Sequence, residues 1–121
     1  MKPVTVTKPW GSFTRFTCNQ KSTVKIIKVN PGELLSLQSH QKRAEFWYVL
    51  EGNPLLEVGT KVKKGKPGDS MLIGRIVKHR ISNKSKKTAK ILEISTGDFS
   101  EEDIIRYEDK YNRIKKKEAS D

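Results

Sequence analysis

His40 and His79 are the only two histidines of the chain, and each stands where a strand can turn an imidazole toward a shared ligand. Gln38 lies two residues before His40, so on an extended strand both side chains leave the same face. Glu45 follows the polar segment Gln41-Lys42-Arg43-Ala44, which is able to reverse the chain and return a carboxylate from the next strand to the same pocket. His79 opens a further strand. Two imidazoles, one carboxylate and one amide oxygen make a three- to four-ligand set suited to a divalent first-row metal, with a position open for water or substrate. The competing reading of the same spacing is a pair of ordinary surface or hydrogen-bonded histidines.

The elements that must carry these residues read as strands. Thr23 to Val29 alternates, is rich in β-branched residues and ends in Asn30-Pro31-Gly32, a turn by composition. Leu34 to His40 and the aromatic segment Glu45 to Leu50 follow, the latter closed by Glu51-Gly52-Asn53-Pro54. Leu55 to Val58, Lys61 to Lys63, Asp69 to Ile73, His79 to Ser82 and Ala89 to Ile94 come at short spacing, which predicts an all-β sandwich or small barrel. Trp47 and Val49 share the face of Glu45 and are expected to line the barrel, and Cys18 is expected to be buried. Trp10 is open between barrel lining and a stacking platform, since an N-terminal strand could cover the barrel mouth. From Ser100 the pattern changes. Ser100 is a helix N-cap candidate with Asp103 three residues on, and Ile104, Ile105 and Tyr107 follow, so a short C-terminal helix or turn is expected.

Length and charge bound the rest. With 121 residues the chain suits one domain, taken as 1–114, followed by a charged tail over 115–121 that is expected to fray. Hydrophobic residues are 34% and charged residues 32%, so the core must be small, and a large cavity between two lobes is excluded. No run approaches the roughly 18 apolar residues that span a bilayer, and MKPVTVTKPW lacks the apolar stretch of a signal peptide. A soluble cytoplasmic protein without a membrane partner is expected. A single cysteine excludes an internal disulfide and a thiolate metal cluster. The net charge is +11, and 11 of the 25 basic residues fall within 61–90 against one acidic residue, Asp69. Such a stretch would suit a phosphate-bearing partner or form a solvated lysine face. It holds no aromatic side chain to stack on bases, which disfavours a nucleic-acid partner.

The spacing around the histidines also follows a known pattern. From Gly32, five residues lead to Gln38-Ser39-His40, four more to Glu45 and six more to Gly52, which resembles the first cupin motif with glutamine in place of its first histidine. From Gly68, five residues precede Gly74, and His79 and Asn83 follow as in the second cupin motif, with Gly74 replacing the usual proline and Ile76 the usual glycine. Lys8-Pro9-Trp10-Gly11-Ser12-Phe13, Pro31-Gly32-Glu33-Leu34-Leu35-Ser36-Leu37-Gln38-Ser39-His40 and Arg43-Ala44-Glu45-Phe46-Trp47 are similar to blocks of the type II phosphomannose isomerases. Lys8 stands for arginine there, and Phe46 for histidine. The segment from Gly97-Asp98-Phe99 through Glu102-Asp103-Ile104-Ile105-Arg106-Tyr107-Glu108-Asp109-Lys110-Tyr111-Asn112-Arg113 resembles the closing block of the same family, with Asn112 in place of glycine. The resemblance covers roughly residues 8 to 114.

The resemblance implies a cupin, a double-stranded β-helix or jelly-roll barrel, that binds a divalent metal and interconverts mannose 6-phosphate and fructose 6-phosphate. Its ligands would be Gln38, His40, Glu45 and His79, and zinc would be the first candidate, ahead of manganese, iron, cobalt and nickel. Arg43, Arg106 and Arg113 match arginines of the family blocks and would act on the sugar phosphate, since a guanidinium fork suits a phosphate. The alternative for these arginines is salt bridging with Glu102, Asp103, Glu108 and Asp109. Isomerisation also needs a base, for which a metal-held water or hydroxide is the first choice and Glu33, a lysine and Asp109 are the other options. The chain shows no nucleotidyltransferase domain and no G-x-G-T-R-L type loop, so pyrophosphorylase activity is not expected. Pairing of cupins through edge strands suggests a homodimer by analogy. The competing functions are a cupin that binds a phosphosugar without turning it over, and an iron dioxygenase built on two histidines and one carboxylate.

Overall fold

The computed structural model describes residues 2–111; Arg113, the expected domain end at 114 and the expected frayed tail 115–121 lie outside the described residues. Among the described residues the chain forms strands and no helix: β1 (Val4–Lys8), β2 (Gly11–Arg15), β3 (Ser22–Val29), β4 (Leu37–Ser39), β5 (Arg43–Glu51), β6 (Leu55–Val58), β7 (Lys61–Lys64), β8 (Ser70–Ile73), β9 (His79–Ser82), β10 (Ala89–Gly97) and β11 (Ile105–Glu108). A four-stranded sheet in the order β3-β10-β5-β8 and a five-stranded sheet in the order β11-β4-β9-β6-β7 make the body, while β1 and β2 pair only with each other. Apart from the β6–β7 hairpin, hydrogen-bonded neighbours within both large sheets are far apart in sequence, as the expected jelly-roll barrel requires. Among the described residues no helix is long and apolar enough to cross a membrane.

Alternation along the strands puts the core between the sheets. Val29, Trp47, Val49, Leu56, Val58, Ile73, Ile81, Ala89 and Ile91 form one buried apolar cluster, so Trp47 and Val49 line the barrel as expected. Register then grades the inner face of the four-stranded sheet from apolar to polar. The row Ile27, Ile91 and Val49 is followed by Lys25, Glu93 and Trp47, and then by Thr23, Ser95 and Glu45. The apolar end is closed by the core and the polar end carries the chemistry. Gly52, with φ of +81°, turns β5 into β6 where a Cβ would lie 2.8 Å from the Thr88 carbonyl oxygen, so only glycine fits.

Three expectations change. The expected short C-terminal helix is absent: residues after Ser100 make one turn and then β11, which pairs antiparallel with β4. The Ser100 hydroxyl does accept the Glu102 N–H at 3.2 Å, as a cap would, but Asp103 turns away to accept the Gln41 and Lys42 N–H groups at 3.0 and 2.9 Å. A strand edge in need of a partner thus wins over local helix signals. Cys18, expected to be buried, is exposed because it lies in the connection between the N-terminal hairpin and β3. Trp10, at the tip of that hairpin, is 72% exposed and does not line the barrel.

The loop between β8 and β9 carries a local cost. Ile76 has φ of +62° and is 70% exposed, so a β-branched side chain occupies left-handed backbone without burial to compensate. Its N–H nevertheless donates to the His40 carbonyl at 2.7 Å, which ties the loop to the turn holding the first histidine. Ile76→Gly is expected to raise unfolding stability by about 1 kcal/mol, read as an upward shift of the urea midpoint at unchanged slope. A lowered midpoint would show that the isoleucine side chain makes contacts that outweigh its backbone strain.

Candidate metal centre

Three strands deliver the expected metal-binding residues to one point. His40 ends the segment after β4, Glu45 lies in β5 and His79 opens β9, and one ligand atom of each falls within 4.8 Å of the others. All three are buried, at 3%, 1% and 3% exposure respectively. Gln38 sits on β4 directly opposite His79 in register and lines the same cleft. Its Nε2 donates to the Ser36 hydroxyl at 3.0 Å, which leaves Oε1 as the atom available for a ligand.

Backbone carbonyls orient both imidazoles. The Nδ1–H of His40 donates to the Asp103 carbonyl at 2.6 Å, and that of His79 donates to the Val77 carbonyl at 2.9 Å. Each ring therefore presents Nε2 to the centre, the arrangement that outer carbonyls impose on metal-binding histidines. Burial, with the Arg43 and His79 charges, outweighs the attraction of Glu45 and the Asp103 carbonyl and lowers the His40 pKa, while Nδ1–H on the Asp103 carbonyl leaves Nε2 as the ring's acceptor atom.

Glu45 is the anionic member. Arg43 Nε donates to its Oε2 at 2.9 Å, and the Ser95 hydroxyl donates to the same atom at 3.4 Å. Burial pushes the carboxyl up, but the His79 contact, the charges of the two histidines and the Arg43 hydrogen bond prevail and hold it down at about 2. Oε1 is buried without a hydrogen-bond partner and faces His79 Nε2 at 3.2 Å. With His79 Nδ1 carrying the ring proton, two lone pairs confront each other, and a proton or a cation must lie between them. His40 Nε2 stands 3.7 Å from Oε2. Donor atoms around a tetrahedral ion at about 2.0–2.1 Å lie about 3.3 Å apart, so these separations and this mixed nitrogen and oxygen set fit a divalent metal. No cysteine stands among these residues, and the set suits zinc, manganese, iron, cobalt and nickel alike.

The expected arginines divide. Arg43 is 4% exposed and committed: besides Glu45, it donates through Nη1 to the Ser100 carbonyl at 3.1 Å and lies over the Phe99 ring at 4.2 Å. Its Nη2 stands 3.3 Å from His40 Nε2. Arg106, on β11 opposite Gln38, lines the cleft. Two cleft residues were not anticipated from sequence. Lys25 on β3 lies over Phe99 at 4.4 Å with Glu101 3.7 Å away, and Glu93 on β10 accepts the Trp47 indole N–H at 3.1 Å. The signal for both is phase, since each occupies an inward position of an alternating strand where an apolar residue is the rule. Burial and the neighbouring Glu45 charge push the Glu93 carboxyl up to about 7. Of the base candidates, Glu33 belongs to a different cleft, where it pairs with Lys110 and Tyr111. The site cleft has a volume of about 220 Å³.

Comparison with known proteins agrees with this picture. The family described as "Mannose-6-phosphate isomerase C-terminal" matches residues 2–109. The chain is 38% identical over 109 residues to the xanthan biosynthesis protein XanB of Xanthomonas campestris pv. campestris (strain B100), a match covering 89% of this chain and 23% of that protein. It is 34% identical over 110 residues to the mannose-1-phosphate guanylyltransferase ManC of Salmonella typhimurium (strain LT2), covering 90% of this chain and 23% of that protein. The chain thus spans about a quarter of the length of these curated relatives. Among solved structures, a sugar phosphate isomerase from a cupin superfamily, from Silicibacter pomeroyi, superposes with a TM-score of 0.59 at 25% identity, covering 66% of this chain and 52% of the other.

The buried carboxyl of Glu93 links stability to pH. Its pKa is raised in the fold from 4.5 to about 7, so the unfolded chain releases the proton first as pH rises. Its favourable contribution is complete below about 4.5 and is lost as pH climbs through about 7. Metal-free Glu93→Gln is therefore expected to gain about 1–3 kcal/mol over wild type between pH 4.5 and pH 8, by urea denaturation at both values. An equal difference at the two pH values would contradict the raised pKa.

Proposed function

The chain belongs to the mannose-6-phosphate isomerase C-terminal family, and from that premise we propose that it is a metal-dependent isomerase interconverting mannose 6-phosphate and fructose 6-phosphate. The observation that carries the reading is the buried trio His40, Glu45 and His79, with two inward nitrogens and a carboxylate oxygen that has no hydrogen-bond partner. Gln38 completes the set through its amide oxygen. A bound divalent ion, zinc first, supplies Lewis acidity at the sugar oxygens.

This chain's own residues do the remaining work. The aldose and ketose differ by one proton moved between C1 and C2 and one moved between O2 and O1. The site therefore has to fix the first two carbons of the open-chain sugar and hold the phosphate at a distance from them. Lys25 and Arg106, on strands of the two different sheets, offer cations at the cleft wall for the phosphate. Arg43 acts one step back: it fixes Oε2 of Glu45 and so aims the carboxylate at the two imidazoles. Trp47, whose ring packs at 69° to that of His79 with centroids 5.5 Å apart, excludes water beneath the site. Arg113 belongs to the same proposal through its family block.

A homodimer is part of the reading. The outer face of the four-stranded sheet exposes Val24, Ile26 and Leu72 at 60%, 64% and 49%, and the unattached hairpin β1–β2 exposes Val4 and Phe13. A second copy would cover both. Light scattering is expected to give twice the 13.8 kDa chain mass for wild type and the single mass for Ile26→Asp. A monomeric wild type would contradict it.

The activity is tested by a coupled assay for fructose 6-phosphate formed from mannose 6-phosphate, on chelator-stripped protein with and without added zinc. Turnover is expected only with metal, and His40→Ala is expected to lower it by at least about 10³-fold. No turnover with zinc, manganese, iron, cobalt or nickel in folded protein would contradict the isomerase and favour a cupin that only binds the sugar phosphate.

A further inference from the structure

Resting on the isomerase reading, we propose that Glu93 is the catalytic base, the carboxylate that carries the proton between C2 and C1 of the sugar.

Position carries the assignment. Glu93 is 7% exposed, yet it lines the same cleft as Gln38, His40, Glu45 and Arg106. On β10 it stands one inward position from Ser95, and Ser95 pairs directly with Glu45 of β5, so Glu93 and Glu45 are diagonal neighbours on one face. Such neighbours lie about 7–8 Å apart by Cα. A sugar held at the metal trio by its first two oxygens would thus lay its first two carbons beside Glu93. Trp47, directly opposite Glu93 in register, donates its indole N–H to Oε2 at 3.1 Å. One oxygen is fixed by that bond, and the other is left to meet the substrate.

The other carboxylates of the neighbourhood are placed for other tasks. Glu45 is held by Arg43 and faces both imidazoles. Glu101 sits at the cleft rim with its side chain 64% exposed, 3.7 Å from Lys25. Asp103 spends both oxygens on the Gln41 and Lys42 N–H groups. Glu33 belongs to another cleft.

The steps balance without an external reagent. The Glu93 carboxylate takes the proton from C2 of mannose 6-phosphate, the C–H pair becomes the C1=C2 bond and the carbonyl pair moves onto O1. The O2 proton passes to O1. Collapse of O2 to the new carbonyl then returns the Glu93 proton to C1, giving fructose 6-phosphate and the starting carboxylate.

The test uses zinc-loaded full chain, wild type and Glu93→Gln, with four readouts: zinc stoichiometry, calorimetric binding of mannitol 6-phosphate, kcat, and deuterium uptake at C2 of mannose 6-phosphate in D2O by NMR. Glu93→Gln is expected to keep its zinc and to bind mannitol 6-phosphate within about threefold. Its kcat and C2 exchange should both fall by about 10²–10⁴-fold. Turnover within tenfold of an active wild type overturns the role of Glu93 alone. An inactive zinc-loaded wild type overturns the isomerase reading and the base with it. Should Glu93→Gln lose its fold, Glu93→Asp, which withdraws the carboxylate by one methylene, carries the test. A loss of at least tenfold in kcat with intact mannitol 6-phosphate binding supports the role, and an unchanged kcat overturns it.

Discussion

The negative charge of Glu45, buried at 1% exposure between two sheets, is the constraint on which the structure turns. An isolated buried carboxylate is prohibitively costly, so its surroundings have to supply compensating charge and hydrogen bonds. Arg43 from the same strand neutralises one oxygen, and Ser95 from the neighbouring strand adds a donor. The second oxygen is left facing an imidazole, which is tolerable only where a positive centre belongs between them. Removing either member of the Arg43–Glu45 pair would strand the other charge, a loss on the order of 3–5 kcal/mol. The residues that bind are therefore also residues that hold this end of the barrel together.

The rest of the fold serves that point. Strand register converts an ordinary alternating pattern into rows that pass from apolar to charged across a few residues of β3, β10 and β5. The segment after Ser100 completes the site from outside. The Asp103 carbonyl orients His40, its carboxylate caps the turn between β4 and β5, and Tyr107 on β11 shares a hydrogen bond of 2.9 Å with Ser39. Gly97 makes this approach possible, because with φ of +107° a Cβ there would lie 2.7 Å from the Lys42 carbonyl oxygen. Chain reversal, ligand orientation and closure of the cleft are thus one structure.

Much of this was legible in the chain itself. The two-residue period of strands such as Ser22–Val29 and the short spacing from Gln38 through His40 to Glu45 are local features, and local features survive into the fold, while His79 was legible through the spacing of its own block around Gly68 and Asn83. What escaped depends on partners distant in sequence. The segment at Ile105–Glu108 carries helix signals and became a strand because β4 offered an unpaired edge, a fact held some 70 residues away. Cys18 reads as core by residue type and is exposed because its connection packs outside the barrel. Arg43 matches an arginine in a family block, yet its short reach to Glu45 on the same strand face ties it to the ligand. Glu93 gave the weakest sign, a single acid in the inward phase of β10 between Ile91 and Ser95, and its meaning appears only when β10 lies beside β5.

Glu45 and the two imidazoles have to act as one metal site, and calorimetric titration of chelator-stripped chain with zinc tests this most directly. One equivalent of zinc bound per chain, lost in Glu45→Gln while that variant keeps its far-ultraviolet dichroism, is the predicted result. Absence of binding in folded wild type, or equal binding in Glu45→Gln, would contradict the account.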